Sequence, residues 1–93
     1  MIDAGLLAFC KQMVRTGQSP RHEALRAFLI ERRDKAGLSQ TDLAKRLRRS
    51  QSYVSYVETG QKLVDVVEMM EWADAIGFDA GEIIKRLAKV PRR

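Results

Sequence analysis

Cysteine and histidine are nearly absent from this 93-residue sequence, which contains one residue of each. A single cysteine, Cys10, excludes an internal disulfide and a metal site made of several cysteines, so we expect a reducing, cytoplasmic compartment. The single histidine, His22, lies in the first turn of a predicted helix, where a surface position is much commoner than a catalytic role. The sequence therefore predicts neither a metal site nor a bound cofactor.

Long apolar runs, glycine-rich phosphate loops and strand patterns are missing as well. No run of apolar residues approaches the length of about 18 that spans a bilayer, so we expect no membrane segment. The carboxylates are scattered along the chain and are explained as helix caps or helix-face charges. Because no group of residues has the composition or spacing of a catalytic site, we predict that the protein is not an enzyme.

The residues that are present are typical of one small folded domain. Hydrophobic residues make up 45% of the chain and charged residues 31%, an ordinary balance that argues against global disorder. Seventeen lysines and arginines against twelve aspartates and glutamates give a net charge of +5. This excess favours a polyanionic partner, either nucleic acid or an anionic membrane surface.

Helix start and stop signals divide residues 19–90 into five predicted helices. Ser19 and Pro20 are a cap and a first-turn proline, and Gly37 is the stop that ends the first helix. A fifth helix is predicted to begin after Asp79. All strand signals are weak, so the sequence predicts an all-α domain.

The fourth helix, predicted at roughly residues 65–76, is apolar on more than one side. Asp65 and Glu68 form a capping-box pattern at its start. Met69 and Trp72 are placed either in the core or at its edge, and the core is the commoner position for such side chains. The predicted inward residues of this helix are Val67, Met70, Ala73 and Ile76.

Two short helices joined by a tight turn are predicted in residues 39–60, the stretch around which the chain is organised. Ser39 caps the first helix, and Asp42 completes a capping box with it. Ser50 caps the second helix, here called the reading helix, and Gly60 ends it. The predicted inward residues of the pair are Leu43, Ala44, Leu47, Val54 and Val57.

Outward positions of the reading helix carry short or planar hydrogen-bonding side chains in place of the usual mixture of lysine and glutamate. They are Gln51, Ser52, Tyr53, Ser55 and Tyr56. Such amides, hydroxyls and phenols can read base edges in the major groove of DNA. A cluster of basic residues surrounds the turn and favours contacts with phosphates over an ordinary solvated face. These basic residues are Lys45, Arg46, Arg48 and Arg49.

This pair of helices resembles the helix-turn-helix of the phage repressor and Cro family, also called the xenobiotic-response-element class of bacterial regulators. Within the motif the matching residues are Gln40, Ala44, Leu47, Val54, Val57 and residues 58–60. The flanking matches are Leu25, Leu29, Arg33 and residues 36–40, 72–73 and 75–78. The resemblance covers roughly residues 22–88. It implies a five-helix, lambda-repressor-like DNA-binding domain.

Two positions depart from the family pattern. Arg48 stands in the turn where the family usually has glycine. A non-glycine residue with positive φ is uncommon and mildly strained, so the shape of the turn and the angle of the reading helix are in question. Asp65 stands where the family often has a serine preceded by proline, and it can cap the fourth helix in that place.

Side-chain chemistry, together with the resemblance, predicts which residues contact DNA. The predicted base-contacting residues are Gln51, Ser52, Tyr53 and Tyr56, and for Tyr53 and Ser55 both bases and backbone are candidate partners. The predicted phosphate-contacting residues are Gln40, Arg48, Arg49, Ser55, Thr59 and Lys62. The family pairs the positions of Arg33 and Glu58, so we expect an ion pair that ties the first helix to the reading helix.

The function implied is that of a cytoplasmic, nucleoid-associated regulator of transcription, more often a repressor than an activator. It would bind double-stranded DNA at a palindromic operator as a homodimer, with the fifth helix, alone or together with the N-terminal helix, at the dimer surface. The alternative is an antitoxin or adaptor whose main partner is a protein, such as a toxin or polymerase. A third reading, non-specific nucleoid binding, predicts a steep salt dependence and no preferred site.

The two ends of the chain lie outside the family pattern. Residues 1–18 carry apolar side chains at helical spacing, which predicts a short amphipathic helix at roughly residues 3–15. This segment packs on the domain or on a second subunit, or is a disordered extension, or precedes a true start at Met13. Residues 91–93 form a basic tail after Pro91.

Overall fold

The computed structural model describes residues 19–92 and contains five α-helices in this range, with no β-strand among them. The helices are α1 (Pro20–Lys35), α2 (Gln40–Leu47), α3 (Gln51–Glu58), α4 (Val66–Ile76) and α5 (Ala80–Ala88). The all-α, five-helix fold that the sequence predicts is confirmed. The predicted N-terminal helix in residues 1–18 lies outside the described residues.

The helices begin where side chains can bind the free backbone N–H groups of the first turn. The Ser39 hydroxyl accepts from the Asp42 backbone N–H at 3.0 Å, and the Asp42 carboxylate accepts from the Ser39 N–H at 3.1 Å. The Ser39 N–H lowers the pKa of Asp42. The stabilisation from this box is therefore present at neutral pH and is lost as the pH falls through the folded-state pKa. A second capping box joins Asp65 and Glu68 at the start of α4.

Each helix contributes at least one fully buried side chain to a single core. The largest of these are Trp72, Phe28, Leu29, Leu43, Ile83 and Val54. The rings of Phe28 and Phe78 meet edge to face, with centroids 5.2 Å apart. Because α3 is only eight residues long and is anchored through this core, its orientation depends on its neighbours rather than on its own helix propensity.

The inward face of α4 differs from the prediction. Val67 and Met70 were expected inside but are 63% and 52% exposed, whereas Met69 and Trp72 are buried. The predicted face, with Val67 and Met70, and the observed face, with Met69 and Trp72, are both apolar and both include Ala73. Residue spacing alone could therefore not distinguish them. Burial of the large Trp72 ring decides the rotation, because the ring adds more apolar area to the core than Val67 would and its N–H finds a buried acceptor.

Two side chains of α1 contact the C-terminal part of the domain. The Arg21 side chain donates from Nε to the carbonyl of Val90 at 2.8 Å, and Arg32 forms an ion pair with Glu82. These contacts fix α5 and the residues after it against α1. Within residues 19–92, no helix is both long and apolar enough to cross a membrane.

Candidate nucleic-acid interface

The outward side of α3 is polar along its whole length. Val54 and Val57 point into the core, which leaves Gln51, Ser52 and Tyr56 exposed on the opposite side of the helix. The Tyr56 side chain is 49% exposed. These three residues are the predicted base contacts that the structure does place together on an open surface.

The turn that leads into α3 is left-handed at Arg48, which has φ 59° and ψ 43°. Its N–H donates to the carbonyl of Lys45, and the Arg49 N–H donates to the carbonyl of Ala44 at 2.9 Å. The turn therefore keeps the backbone path that glycine normally takes, although the Cβ of arginine makes that path strained. The side chain of Arg48 is exposed and makes no hydrogen bond or ion pair with the rest of residues 19–92.

Replacing Arg48 with glycine is expected to stabilise the fold and weaken nucleic-acid binding at the same time. Relief of the left-handed strain, about 1–2 kcal/mol, exceeds the roughly 0.5–1 kcal/mol that glycine costs in chain entropy, so the free energy of unfolding should rise by about 0.5–1 kcal/mol. Loss of one cation should reduce affinity for any duplex and lower the salt slope by about one unit. Urea unfolding and binding titrations at several salt concentrations measure both quantities. A glycine variant that is less stable than the wild type would contradict the conclusion that Arg48 is strained.

The amide of Gln51 is held by a chain of hydrogen bonds that begins in α1. Gln51 Nε2 donates to Gln40 Oε1 at 2.6 Å, and Gln40 Nε2 donates to Glu58 Oε1 at 2.8 Å. Glu58 is in turn bound by Arg33. We call these four residues the Gln51 chain. It leaves the carbonyl oxygen of Gln51 and one of its N–H groups available for a second partner.

Arg33 and Glu58 form the predicted ion pair between α1 and α3. Arg33 Nε lies 2.7 Å from Glu58 Oε2, and Nη2 lies 3.0 Å from Oε1. The two side chains are 12% and 5% exposed. The hydrogen bonds to Glu58 raise the pKa of Arg33. A third donor, Arg33 Nη1, binds the carbonyl of Leu38 at 2.9 Å, so the guanidinium also fixes the loop before α2.

Tyr53 does not lie where the sequence prediction placed it. The side chain is 8% exposed, and its hydroxyl donates to Glu68 Oε2 at 3.0 Å and accepts from Trp72 Nε1 at 3.1 Å. Burial raises the pKa of the Tyr53 phenol, so it keeps its proton at neutral pH. Tyr53 is a core residue with both hydrogen-bonding roles filled, and its assignment as a base contact is wrong.

Two of the predicted phosphate contacts, Arg49 and Lys62, flank the Tyr53 ring. The guanidinium carbon of Arg49 lies 4.5 Å from the ring centroid, and Lys62 Nζ lies 5.8 Å from it. The side chains remain 38% and 43% exposed, so both cations can still meet an anion. Glu68 lies between them. The sequence prediction treated Glu68 only as a helix cap, and nothing in the sequence pattern links it to Tyr53.

The remaining predicted phosphate contacts lie near the C-terminal end of α3 or at the start of α2. The Thr59 hydroxyl is exposed and donates to the carbonyl of Ser55 at 2.9 Å. Ser55 itself is half-buried, and Gln40 lies at the first position of α2. Residues 19–92 contain no group of three or more histidines or carboxylates that could hold a metal ion.

Comparison with known proteins agrees with this geometry. A family model described as a helix-turn-helix domain matches residues 24–83, which is more than half of the chain. An XRE-family-like protein from Pseudomonas syringae pv. tomato is 40% identical, with a TM-score of 0.70 over 73% of this chain and 83% of that one. This chain belongs to the XRE helix-turn-helix family.

Two further solved structures are similar to this chain. The clp gene regulator ClgR from C. glutamicum is 30% identical, with a TM-score of 0.64 over 71% of this chain and 86% of that chain. The restriction-modification controller protein C.AhdI from Aeromonas hydrophila is 36% identical, with a TM-score of 0.57 over 66% and 86%. No curated protein sequence matches with significance. The chain is therefore a DNA-binding regulator with α2 and α3 as its helix-turn-helix.

Proposed function

We propose that this XRE-family protein is a sequence-specific repressor that binds a palindromic operator as a homodimer. The reading helix α3 enters the major groove of double-stranded DNA with Gln51, Ser52 and Tyr56 towards the bases. The observation that supports this most strongly is the Gln51 chain, because an amide held in one orientation is suited to a bidentate contact. Its preferred partner is adenine, which offers an N7 acceptor and an N6 donor on one edge.

Cations around this face would bind the DNA backbone. Arg48 and Arg49 precede α3, and Lys62 follows it, so phosphates on both sides of the groove are within the reach of basic side chains. The first N–H groups of α2, beside Gln40, offer a further phosphate site at a helix N-terminus. These contacts set the position of α3, and the base contacts set the sequence.

Two-fold symmetry supplies the specificity that one short helix lacks. A single reading helix contacts only a few base pairs, whereas two of them about 34 Å apart read both halves of a palindrome. We place the dimer surface at α5, where Ile84 is exposed beside the buried Ile83. Cytoplasmic, nucleoid-associated localisation goes with this function.

Selection of bound sites from random duplex DNA tests the proposal. We expect an enriched inverted repeat whose half-site centres lie about 10 base pairs apart, or a multiple of that spacing. Sedimentation of the complex should show two protein chains per duplex. A single enriched half-site bound by one chain would contradict the homodimer, and an unenriched pool would contradict sequence-specific binding.

The second candidate is an antitoxin or adaptor whose main partner is a protein. It is favoured by the exposed apolar side chains of α4 and the loop before it, which are Leu63, Val66, Val67 and Met70. A stripe of this kind is more than scattered exposure and is typical of an interaction surface. An unenriched pool, together with protein that binds DNA weakly at physiological salt, would favour this candidate over the first.

A further inference from the structure

Both carboxylate oxygens of Glu68, on α4, accept a hydrogen bond. Oε1 accepts from the backbone N–H of Asp65 at 3.0 Å, which closes the capping box of α4. Oε2 accepts from the Tyr53 hydroxyl at 3.0 Å and so connects α4 to the reading helix. The Glu68 side chain is only 13% exposed. Its position is therefore fixed by the fold.

The same carboxylate faces two cations that belong to the proposed DNA-binding surface. Glu68 Oε2 lies 3.7 Å from Arg49 Nη1 and 3.7 Å from Lys62 Nζ. Arg49 comes just before α3 and Lys62 comes four residues after its end, so one carboxylate oxygen lies near cations at both ends of the reading helix. Both cations also lie over the Tyr53 ring, at 4.5 Å and 5.8 Å from its centroid.

A carboxylate at this place has two opposing effects on DNA binding. Its charge lowers the positive potential of the surface, which weakens attraction of a polyanion. Its contacts restrict long side chains that would otherwise lose rotamer freedom when they bind phosphate, at a cost of about 0.5–1.5 kcal/mol each. Restriction would outweigh repulsion where one largely buried carboxylate contacts two flexible cations, and the side chains of Arg49 and Lys62 are 38% and 43% exposed beside Glu68.

We propose that Glu68 is a positioning residue for DNA-backbone binding, holding Arg49 and Lys62 in the conformations in which they meet phosphates at the two ends of α3. This inference rests on the proposed DNA-binding function of α3. It adds to that function a residue that does not touch DNA. It also gives the Tyr53 hydroxyl a function, because the hydroxyl holds the carboxylate between the two cations.

Glu68→Gln, compared with Glu71→Gln, tests this role. Glu71 is 49% exposed and lies 3.6 Å from Arg49 Nη2, so its replacement also removes one negative charge beside Arg49. Only Glu68 also reaches Lys62 and Tyr53. We expect Glu68→Gln to weaken binding of the selected operator about ten-fold. The salt slope should fall by about one to two units, because Arg49 and Lys62 would each cease to neutralise a phosphate. Glu71→Gln should bind as wild type does, or more tightly.

A second substitution, Glu68→Asp, separates position from charge and covers the case in which Glu68→Gln does not fold. Aspartate keeps the charge but is one methylene shorter. Positioning predicts weakened operator binding for Glu68→Asp, whereas a purely electrostatic role predicts wild-type affinity. Wild-type affinity for the aspartate variant, or tighter binding by Glu68→Gln, would overturn the proposal.

A double-mutant cycle distinguishes positioning from a general structural effect. In an Arg49→Gln, Lys62→Gln background, Glu68→Gln should cause no further decrease in operator affinity, because the side chains through which it acts are gone. If Glu68→Gln still lowers operator affinity in that background, Glu68 acts only by stabilising the fold, and the proposal that it positions Arg49 and Lys62 is overturned. If the wild-type protein selects no operator at all, the proposed function is wrong. The selection with wild-type protein therefore precedes the comparison of variants, which keeps the two failures distinguishable.

Discussion

Glu58→Ala is expected to lower the free energy of unfolding by about 3 kcal/mol, because it leaves the buried charge of Arg33 without its buried partner. The other carboxylate near Arg33 is that of Asp34, which is 67% exposed and 3.4 Å from Nη1, so it replaces Glu58 poorly. The guanidinium is 12% exposed and donates two hydrogen bonds to Glu58, so water cannot replace the missing carboxylate at low cost. In a domain of this size the melting temperature should fall by roughly 10–20 °C. Thermal and urea unfolding followed by circular dichroism measure the change.

Two controls isolate the cause of that destabilisation. Glu31→Ala removes an exposed carboxylate of α1 that pairs with Lys35, and such surface pairs contribute less than about 1 kcal/mol. The double substitution Arg33→Met, Glu58→Leu removes both buried charges and should recover most of the stability that Glu58→Ala removes. If the double variant is less stable than the single one, the stranded charge is not the cause.

Gln51→Ala combined with Tyr56→Ala is expected to abolish most of the discrimination between the operator and unrelated DNA. A good bidentate base contact contributes about 1–3 kcal/mol of discrimination, so the pair should reduce operator affinity by roughly 10- to 100-fold. Affinity for unrelated duplex should change little, because it depends on the phosphate contacts. Fluorescence anisotropy with operator and scrambled duplexes measures both affinities.

Stability should be nearly unaffected by these two substitutions, since both side chains are exposed. Lys45→Ala is a matched surface control on α2, because it removes an exposed side chain outside the proposed base contacts. It should leave discrimination unchanged. Equal decreases in affinity for operator and scrambled DNA in the Gln51, Tyr56 variant would show that the side chains bind backbone and do not read sequence.

The sequence predicts the elements of this fold well because each begins and ends with local chemistry. The caps at Ser19, Ser39 and Asp65 depend only on residues three or so positions away, and the structure has all three. Stops at Gly37 and Gly60 likewise require only a positive φ at one residue. Family resemblance added the Arg33–Glu58 pair, which no local rule gives because its members lie 25 residues apart.

Tertiary packing decides the features that the sequence could not show. Tyr53 was assigned to the DNA surface because its neighbours in the helix are polar, but its ring lies in the core beside Trp72. The hydroxyl made Tyr53 look like a surface residue, because its hydrogen-bond partners, Glu68 and Trp72, come together with it only in the folded structure. The same packing rotates α4 so that Met69 faces inward and Val67 outward. The Tyr53–Trp72 pair therefore accounts for both errors.

The Gln51 chain was also beyond sequence reasoning. Gln40 was assigned to a phosphate because it stands at a helix N-terminus, and the structure shows that its amide also holds Gln51. The two roles are compatible, since the Ser39 cap binds only the Asp42 N–H and leaves the N–H groups of Gln40 and Thr41 without a hydrogen bond in residues 19–92. Gln40 bridges the ion pair and Gln51, so it links the stability of the fold to the orientation of the proposed base contact.

Titration of ¹⁵N-labelled protein with the selected operator, followed by NMR, tests most directly whether the outward face of α3 reads DNA. We predict that the largest changes fall on the side-chain amide signals of Gln51 and Gln40 and on the backbone signals of Ser52 and Tyr56. A scrambled duplex should shift mainly the residues beside Arg48, Arg49 and Lys62. Unchanged signals for α3, with shifts confined to the exposed apolar face of α4, would contradict this account.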